Sequence, residues 1–421
     1  MTMRLLKTDF VYRNDPLVIA GASGCTLTER SGRKYIDLQA SSGAAILGYD
    51  SSIMEMAALR AATLPSKPQF CESVTRLALT EKLDRMFRNA SGCEGRIAYD
   101  LGGAQGIEHA IKVISAEKPN ATCILAFDGA YHGRSLATSF LSSGSRYTSL
   151  PGPGLFKVVR LPVPALISAS SGISLEEADE VCRQKVSLLF SDERYGVVGS
   201  TYALHSLVFE PILNVAGMHP FDESYISFVI EKIRSNGGHI IADEIFTGFY
   251  KDKGFLASAS YSSMVDIVVI SKGLTNGLAP LSVIWVNEES GLESAKPGLH
   301  SSTYINNEFS LCCALEVIER IELLNSNDLE RPKSALEYII GSLKRQDLVS
   351  MIHSNVGAIR FKNPDEVSDI YSRLMHTGAV GVVTASTGLA KDSIILHPAL
   401  TLTDDEIEQA KEIMEVSLEE C

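Results

Sequence analysis

Short apolar runs alternate with stretches of helical spacing along most of this chain. From about residue 95 the runs are "RIAYDL", "TCILAFD", "FKVVRL", "SLVFEPIL", "HIIADEI" and "DIVVISK". Runs this short and this rich in β-branched residues mark strands buried on both faces. The helical stretches between them predict an α/β architecture: a mostly parallel sheet covered by helices on both sides. Upstream, "GCTLTERSGRKYIDL" (Gly24 to Leu38) predicts a hairpin around "RSGR", with Leu27 and Tyr35 in its arms. Helical spacing takes over from about residue 54 to 88, where Val74, Leu77, Leu79, Leu83 and Phe87 offer an apolar face. "LISASSGISLEEADE" (Leu166 to Glu180) predicts a surface excursion. From Leu311 one long helical stretch leads to "VGAIRF", a helix near "DEVSDIYSRLMHTG" and a closing amphipathic helix from about Asp404. The change of texture predicts a large domain over 54–310, and a smaller α+β domain built from 1–53 and 311–421.

Composition narrows the function classes. Of 421 residues, 45% are hydrophobic and 21% charged, as in soluble proteins with a large core. The net charge of -13 and the lack of any lysine/arginine tract argue against a nucleic-acid partner. The eight cysteines, Cys421 among them, include no C-x-x-C pair, so no cysteine-rich metal site is expected. The opening "MTMRLLKTDFVYRND" has no apolar core for a signal peptide, and no run approaches 18 apolar residues. A reduced, cytoplasmic protein without a membrane span is the expectation.

Ligands of open α/β sheets sit beyond the carboxyl ends of the strands. After "RIAYDL", Gly102 and Gly103 make a tight turn into a helix expected near Gln105. Such a turn can cradle a phosphate, though strand–glycine–helix turns are common. After "TCILAFD", Tyr131 and His132 lie in a glycine-flanked loop. Either ring could stack on a flat ligand, or simply cover the core. Asp243 and Glu244 end "HIIADEI" and point to opposite faces, so one of them enters a given site. A buried carboxylate there needs a partner, whether an arginine, a helix it caps or a ligand. Lys272 stands at the mouth of the next strand, 29 positions on. Partial desolvation disfavours its ammonium and frees an amine for imine formation with an aldehyde. An aldehyde for Lys272, a cationic ring nitrogen for Asp243 and a phosphate for the glycine turn meet in one ligand, pyridoxal 5′-phosphate.

On these residues the chain resembles the class III (omega) aminotransferases, a group within the aspartate-aminotransferase fold (fold type I). "GRKYIDL", "GGAQGIEHAIK", "YHGR", "FEPI", "IADEIFTGF", "ISKGLTNGLAPLS", "STYINNEFSLCCAL" and "HPALTLTDDEIEQA" carry the likeness over nearly the whole chain. It implies Lys272 as the Schiff-base lysine and proton shuttle, and Asp243 against the pyridine nitrogen. It implies Ile245 under the ring, Tyr131 and His132 in the ring-stacking loop, and Glu210 at a Glu-Pro strand end. Gly103 and Ala104 would give N–H groups to the phosphate, and Thr303 would reach the phosphate of the neighbouring subunit in a homodimer. Phe246 stands where a glutamine often contacts the ring hydroxyl, Gly102 where serine is usual and Gln105 where glutamate is usual. The family's arginine before the C-terminal Pro-Pro-Leu is missing from "SIILHPAL", which has Ile395, Leu396 and His397 instead. Arg134 and Arg360 are other candidate anchors. The implied reaction moves an amino group between an amine or amino-acid donor and an oxo acceptor, small or carrier-tethered. An aminomutase, decarboxylase or racemase of the same fold would share these motifs. A silent binding protein would need neither Lys272 nor Asp243.

Overall fold

The computed structural model describes residues 17–68, 70–144, 156–191, 196, 198, 202–380, 383–384 and 392–419. The opening segment read for a signal peptide and the terminal Cys421 lie outside them.

Strands β1 (Ile19–Ser23), β2 (Thr26–Glu29) and β3 (Lys34–Asp37) form an antiparallel meander, and Leu27 pairs with Tyr35 as the hairpin pattern requires. Helices α1 (Ser51–Ala61) and α2 (Val74–Ser91) follow. Then come β4 (Gly95–Asp100), α3 (Gly103–Glu117), β5 (Cys123–Phe127) and β6 (Lys157–Leu161). The chain continues through α4 (Pro164–Ser171), α5 (Leu175–Ser191), β7 (Leu204–Phe209) and α6 (Glu223–Ser235). β8 (His239–Asp243), β9 (Ile267–Ile270) and β10 (Ser282–Asn287) complete a seven-stranded sheet of order β4-β10-β9-β8-β7-β5-β6. β10 is antiparallel to both its neighbours, and the other pairings are parallel. The α/β reading holds.

Alternate strand residues enter cores on opposite sides of the sheet, as the pleat demands. Ile240 and Ala242 join one cluster with Phe87, Phe127 and Trp285, whereas Ile241 joins another with Ile107 and Ile114 of α3. A separate cluster unites Ile36 and Leu38 with Ile339, Ile359 and Leu396, so the N-terminal meander packs with C-terminal elements.

Three local expectations change. Helical spacing over 54–88 resolves into two helices, because Ser73 caps a fresh start by accepting from the Arg76 N–H at 3.2 Å. On α2, Leu79, Leu83 and Phe87 are buried, but Val74 and Leu77 are 83% and 58% exposed. Leu166–Glu180 is no excursion: it spans most of α4 and the start of α5, and Leu166 and Ile167 pack on the main core. The stretch from Leu311 splits into α7 (Glu308–Ile321) and α8 (Ser326–Gly341), since Asn325 and Asp328 form a capping box. Leu311, Ala314 and Ile318 of α7 belong to the larger cluster, although this helix was expected to open the smaller domain. β11 (Val349–His353), β12 (Val356–Arg360), α9 (Glu366–Thr377), β13 (Ser393–Leu396) and α10 (Asp404–Glu419) finish the chain.

Candidate active site

The carboxyl ends of β4, β5, β7, β8 and β9 face one edge of the sheet. They carry the Gly102–Gly103 turn, the Tyr131–His132 loop, Glu210, Asp243 and Lys272. Helix α3 starts at Gly103, two positions before the expected Gln105. A Cβ on Gly103 would lie 2.7 Å from Ile245 Cδ1, so its backbone lies against Ile245. Ala104 packs in the same way on Gly133, whose φ of +119° and lack of Cβ permit the approach.

Asp243 accepts from His132 Nδ1 at 2.8 Å and from the Ile245 N–H at 3.1 Å. This places the His132 proton on Nδ1, and its buried Nε2 is left without a partner among the described residues. The neighbouring Glu244 turns to the other face. It accepts from Thr247 Oγ1, the Ala257 N–H and the Ser258 N–H, as a buried carboxylate in a structural role. Glu210 accepts from the Tyr131 N–H at 2.8 Å. Burial, and then the Asp243 charge beside it, push the Glu210 carboxyl well above the usual range.

Lys272 is partly buried and has a left-handed φ of 43°, a strained conformation for a residue with a side chain. Its Nζ makes no hydrogen bond among the described residues and lies 5.2 Å from the Phe246 ring centre. Desolvation lowers its proton affinity, while Glu210 and Asp243 oppose that shift. Phe246 makes no polar contact with the site. It is wedged against His397 in an edge-on pair at 5.1 Å, and against Gly43, where a Cβ would come within 2.7 Å of the ring.

Gly43 closes a run of four left-handed residues that begins at Ala40, with φ of 44°, 51°, 60° and 82°. Asp37 holds this turn by accepting from the Gln39 N–H at 2.8 Å and the Ser41 N–H at 2.9 Å. Asn276 fixes the next residues to the Lys272 turn, accepting from the Leu47 N–H and donating to Gly48 O, both at 2.8 Å. Sequence periodicity gave no sign of this turn. It also hid Lys251, which in "GFYKDKGF" reads as surface charge but is 2% exposed.

Thr303 is exposed and makes no hydrogen bond among the described residues. Its loop is tied down by His300, whose Nε2 meets Asp100 Oδ1 at 2.8 Å while His109 Nδ1 meets Oδ2 at 2.6 Å. A carboxylate and two imidazoles so close are a possible metal set. The rings, however, stack at 4.4 Å and 14°, so their in-plane lone pairs do not converge on one point. A cavity of about 640 Å³ between Met86, Phe221, Tyr250 and His353 contains none of Lys272, Asp243, His132 or Glu210. Arg360 is engaged with His219 and Asp392, and Arg134 lies over the Tyr131 ring.

The family profile described as Aminotransferase class-III matches residues 10–418. The chain is 25% identical to the diaminobutyrate–2-oxoglutarate aminotransferase of Rhizobium meliloti, over 97% of this chain and 89% of that protein. It is 26% identical to the 2-aminoadipate transaminase of Pseudomonas putida, over 96% of each chain. Among solved structures, a PLP-bound amine transaminase from an uncultivated Pseudomonas species superposes with a TM-score of 0.85 at 20% identity. That match covers all of this chain and 98% of the other.

Proposed function

The chain belongs to the class III aminotransferases and is a pyridoxal-phosphate-dependent transaminase, and from that premise we propose how its own residues divide the work. Lys272 is the reacting lysine. The observation that carries this is its amine, desolvated and without an acceptor, facing the Glu210 and Asp243 carboxylates. The site fits the cofactor in three places. A glycine turn at a helix N-terminus suits the phosphate through Gly103 and Ala104. Asp243, with His132 behind it, suits the ring nitrogen, and Tyr131 and Ile245 flank the ring.

Bound pyridoxal phosphate supplies an electron-withdrawing ring that stabilises negative charge on the substrate carbon losing its proton. Asp243, oriented by the His132 and Ile245 donors, would hold the ring nitrogen through a charge-assisted hydrogen bond. Lys272 Nζ would be the group that takes up and returns the substrate proton there. Phe246 excludes water beside Nζ. Borohydride reduction and peptide mapping test the assignment: the pyridoxyl group is expected on Lys272, and its appearance on another lysine would refute it.

The donor is an amine or amino acid and the acceptor an oxo compound, small or carrier-tethered. Turnover that needs no added keto acid would favour the aminomutase, decarboxylase or racemase reading instead. The working unit is a homodimer in which Thr303 serves the partner's phosphate. Large apolar side chains exposed near the start of α2, Phe70 at 91% and Val74 at 83%, support a subunit contact. Mixing Lys272→Ala with a bulky Thr303 variant should restore part of the activity. Mixed dimers as inactive as their parents would show that Thr303 serves its own subunit. Among the described residues no helix is long and apolar enough to cross a membrane, which is compatible with the proposed cytoplasmic location. The division into a large domain over 54–310 and a smaller one from 1–53 and 311–421 is part of the same proposal, with α7 drawn toward the larger core.

A further inference from the structure

The chain reverses at Phe249 and Tyr250, both with left-handed φ of 62° and 64°, and this reversal carries Lys251 into the interior. The lysine amine has three N–H donors, yet among the described residues its only hydrogen bond is to the His397 carbonyl oxygen, at the outer limit of 3.5 Å. The carboxylate whose charge bears on it is Asp37. Both Asp37 oxygens are already taken, Oδ1 by the Gln39 N–H and Oδ2 by the Ser41 N–H and the Tyr49 hydroxyl at 2.5 Å. The Cys25 thiol also faces Lys251, and burial keeps that thiol protonated. The remaining titratable neighbours are Lys272 and His397. His397 is 2% exposed and burial keeps its imidazole neutral; its ring donates to the Gln39 backbone carbonyl, and its Nδ1 has no partner among the described residues. The Lys251 amine, short of acceptors among the described residues, is therefore within electrostatic reach of the reacting lysine, and His397 packs edge-on against Phe246. A buried donor in such a state calls for an acceptor that arrives from outside. The arginine that would meet a substrate acid is missing here, and Ile395 near its place packs in an apolar cluster with Phe246.

We propose that Lys251 anchors a carboxylate on the substrate, so that this enzyme selects carboxylate-bearing amine donors through a lysine on the loop after β8. The proposal rests on Lys272 being the reacting lysine. Burial and the Lys272 charge hold Lys251 at about 7 in the absence of substrate. An incoming carboxylate favours its ammonium, so acid binding above that pH is accompanied by proton uptake.

The test compares wild type, Lys251→Met and Lys251→Arg as holoenzymes. The substrates are ω-amino acids and the n-alkylamines that lack only the carboxylate, such as 5-aminopentanoate and butylamine. Wild type should prefer the acid. In Lys251→Met the KM for the acid should rise about 100-fold with little change in kcat, as loss of a hydrogen-bonded charge pair implies. The acid-to-amine ratio should collapse, and Lys251→Arg should restore much of it. Calorimetry on cofactor-free protein with pentanoate should show the same weakening, together with loss of proton uptake at pH 8. An acid-to-amine ratio that stays within about twofold of wild type in folded Lys251→Met would overturn the anchor. So would equal losses for both substrates, the mark of a purely structural lysine. Mapping the pyridoxyl group in each variant separates the two levels. A label on Lys272 with an unchanged ratio sinks the anchor alone, whereas a label elsewhere sinks the reading beneath it.

Discussion

The two sides of the candidate site differ in how completely their charged groups are paired, although each also holds an imidazole nitrogen without a partner among the described residues, His132 Nε2 and His397 Nδ1. On the Asp243 side each oxygen has a donor, His132 at 2.8 Å and the Ile245 N–H at 3.1 Å, and Ser142 Oγ accepts from the His132 N–H. On the Lys272 side, Lys272 has no acceptor among the described residues, Lys251 has one at 3.5 Å, and His397 Nδ1 has none. An unpaired buried donor costs about 1–3 kcal/mol, so this imbalance weakens the fold unless a ligand relieves it. The paired side is preorganised for a group that stays in place. The unpaired side is left open for groups that change with every turnover.

Removing the reacting amine tests that contrast most severely. Lys272→Ala should lower the rate of a single half-reaction by about four powers of ten, near the upper range for loss of a positioned proton carrier. Rapid-mixing absorbance would measure it, and a small loss would place the chemistry elsewhere. Asp243→Asn attacks the paired side. It should cost about two to three powers of ten in kcat while leaving the fold intact, because the amide keeps the shape and loses the charge. Near-normal turnover would mean that the preorganised side does not face the ring.

His132→Phe leaves Asp243 with one donor instead of two. Thermal unfolding of the cofactor-free protein should reveal a loss of about 1–3 kcal/mol. If stability is unchanged, the pairing seen here adds nothing to the fold.

A pH dependence sharpens the other side. Burial and the Lys272 charge push Lys251 down to about 7 in the folded protein, from 10.5 for an ordinary lysine. Between those values the unfolded chain binds more protons than the folded one, so this residue makes stability rise with pH across the window. Lys251→Met should lack that rise, a difference of at most about 1.4 kcal/mol per pH unit. Denaturant unfolding from pH 7 to 9.5 would measure it. Parallel curves for the two proteins would show that the Lys251 amine is not desolvated.

The strands were legible in the chain because both faces of the sheet are buried, which makes each one a short continuous apolar run, and Ile240, Ile241 and Ala242 divide between the two cores. The positions of Gly103, Asp243 and Lys272 at strand ends were legible for the same reason. Helix ends were less so. The break before Val74 and the one at Asn325 depend on single capping side chains, which a hydrophobic pattern does not weigh. The reading of Tyr131 and His132 as two possible stacking rings also needed the fold. His132 turned out to hold Asp243, 111 positions away, while the Tyr131 backbone holds Glu210.

By itself, then, the sequence determined the α/β class, the order of the strand ends and the residue types that suit a phosphate, a ring nitrogen and an aldehyde. Each of these follows from spacing along a few residues or from the chemistry of one side chain. Only the tertiary structure decided which groups are paired and which are left wanting. Lys251 differs from a surface lysine because the reversal at Phe249–Tyr250 and the His397 strand end meet at it from distant parts of the chain, with the left-handed turn at Ala40–Gly43 packed behind His397. Desolvation and the supply of acceptors are properties of that convergence, and no local pattern encodes them.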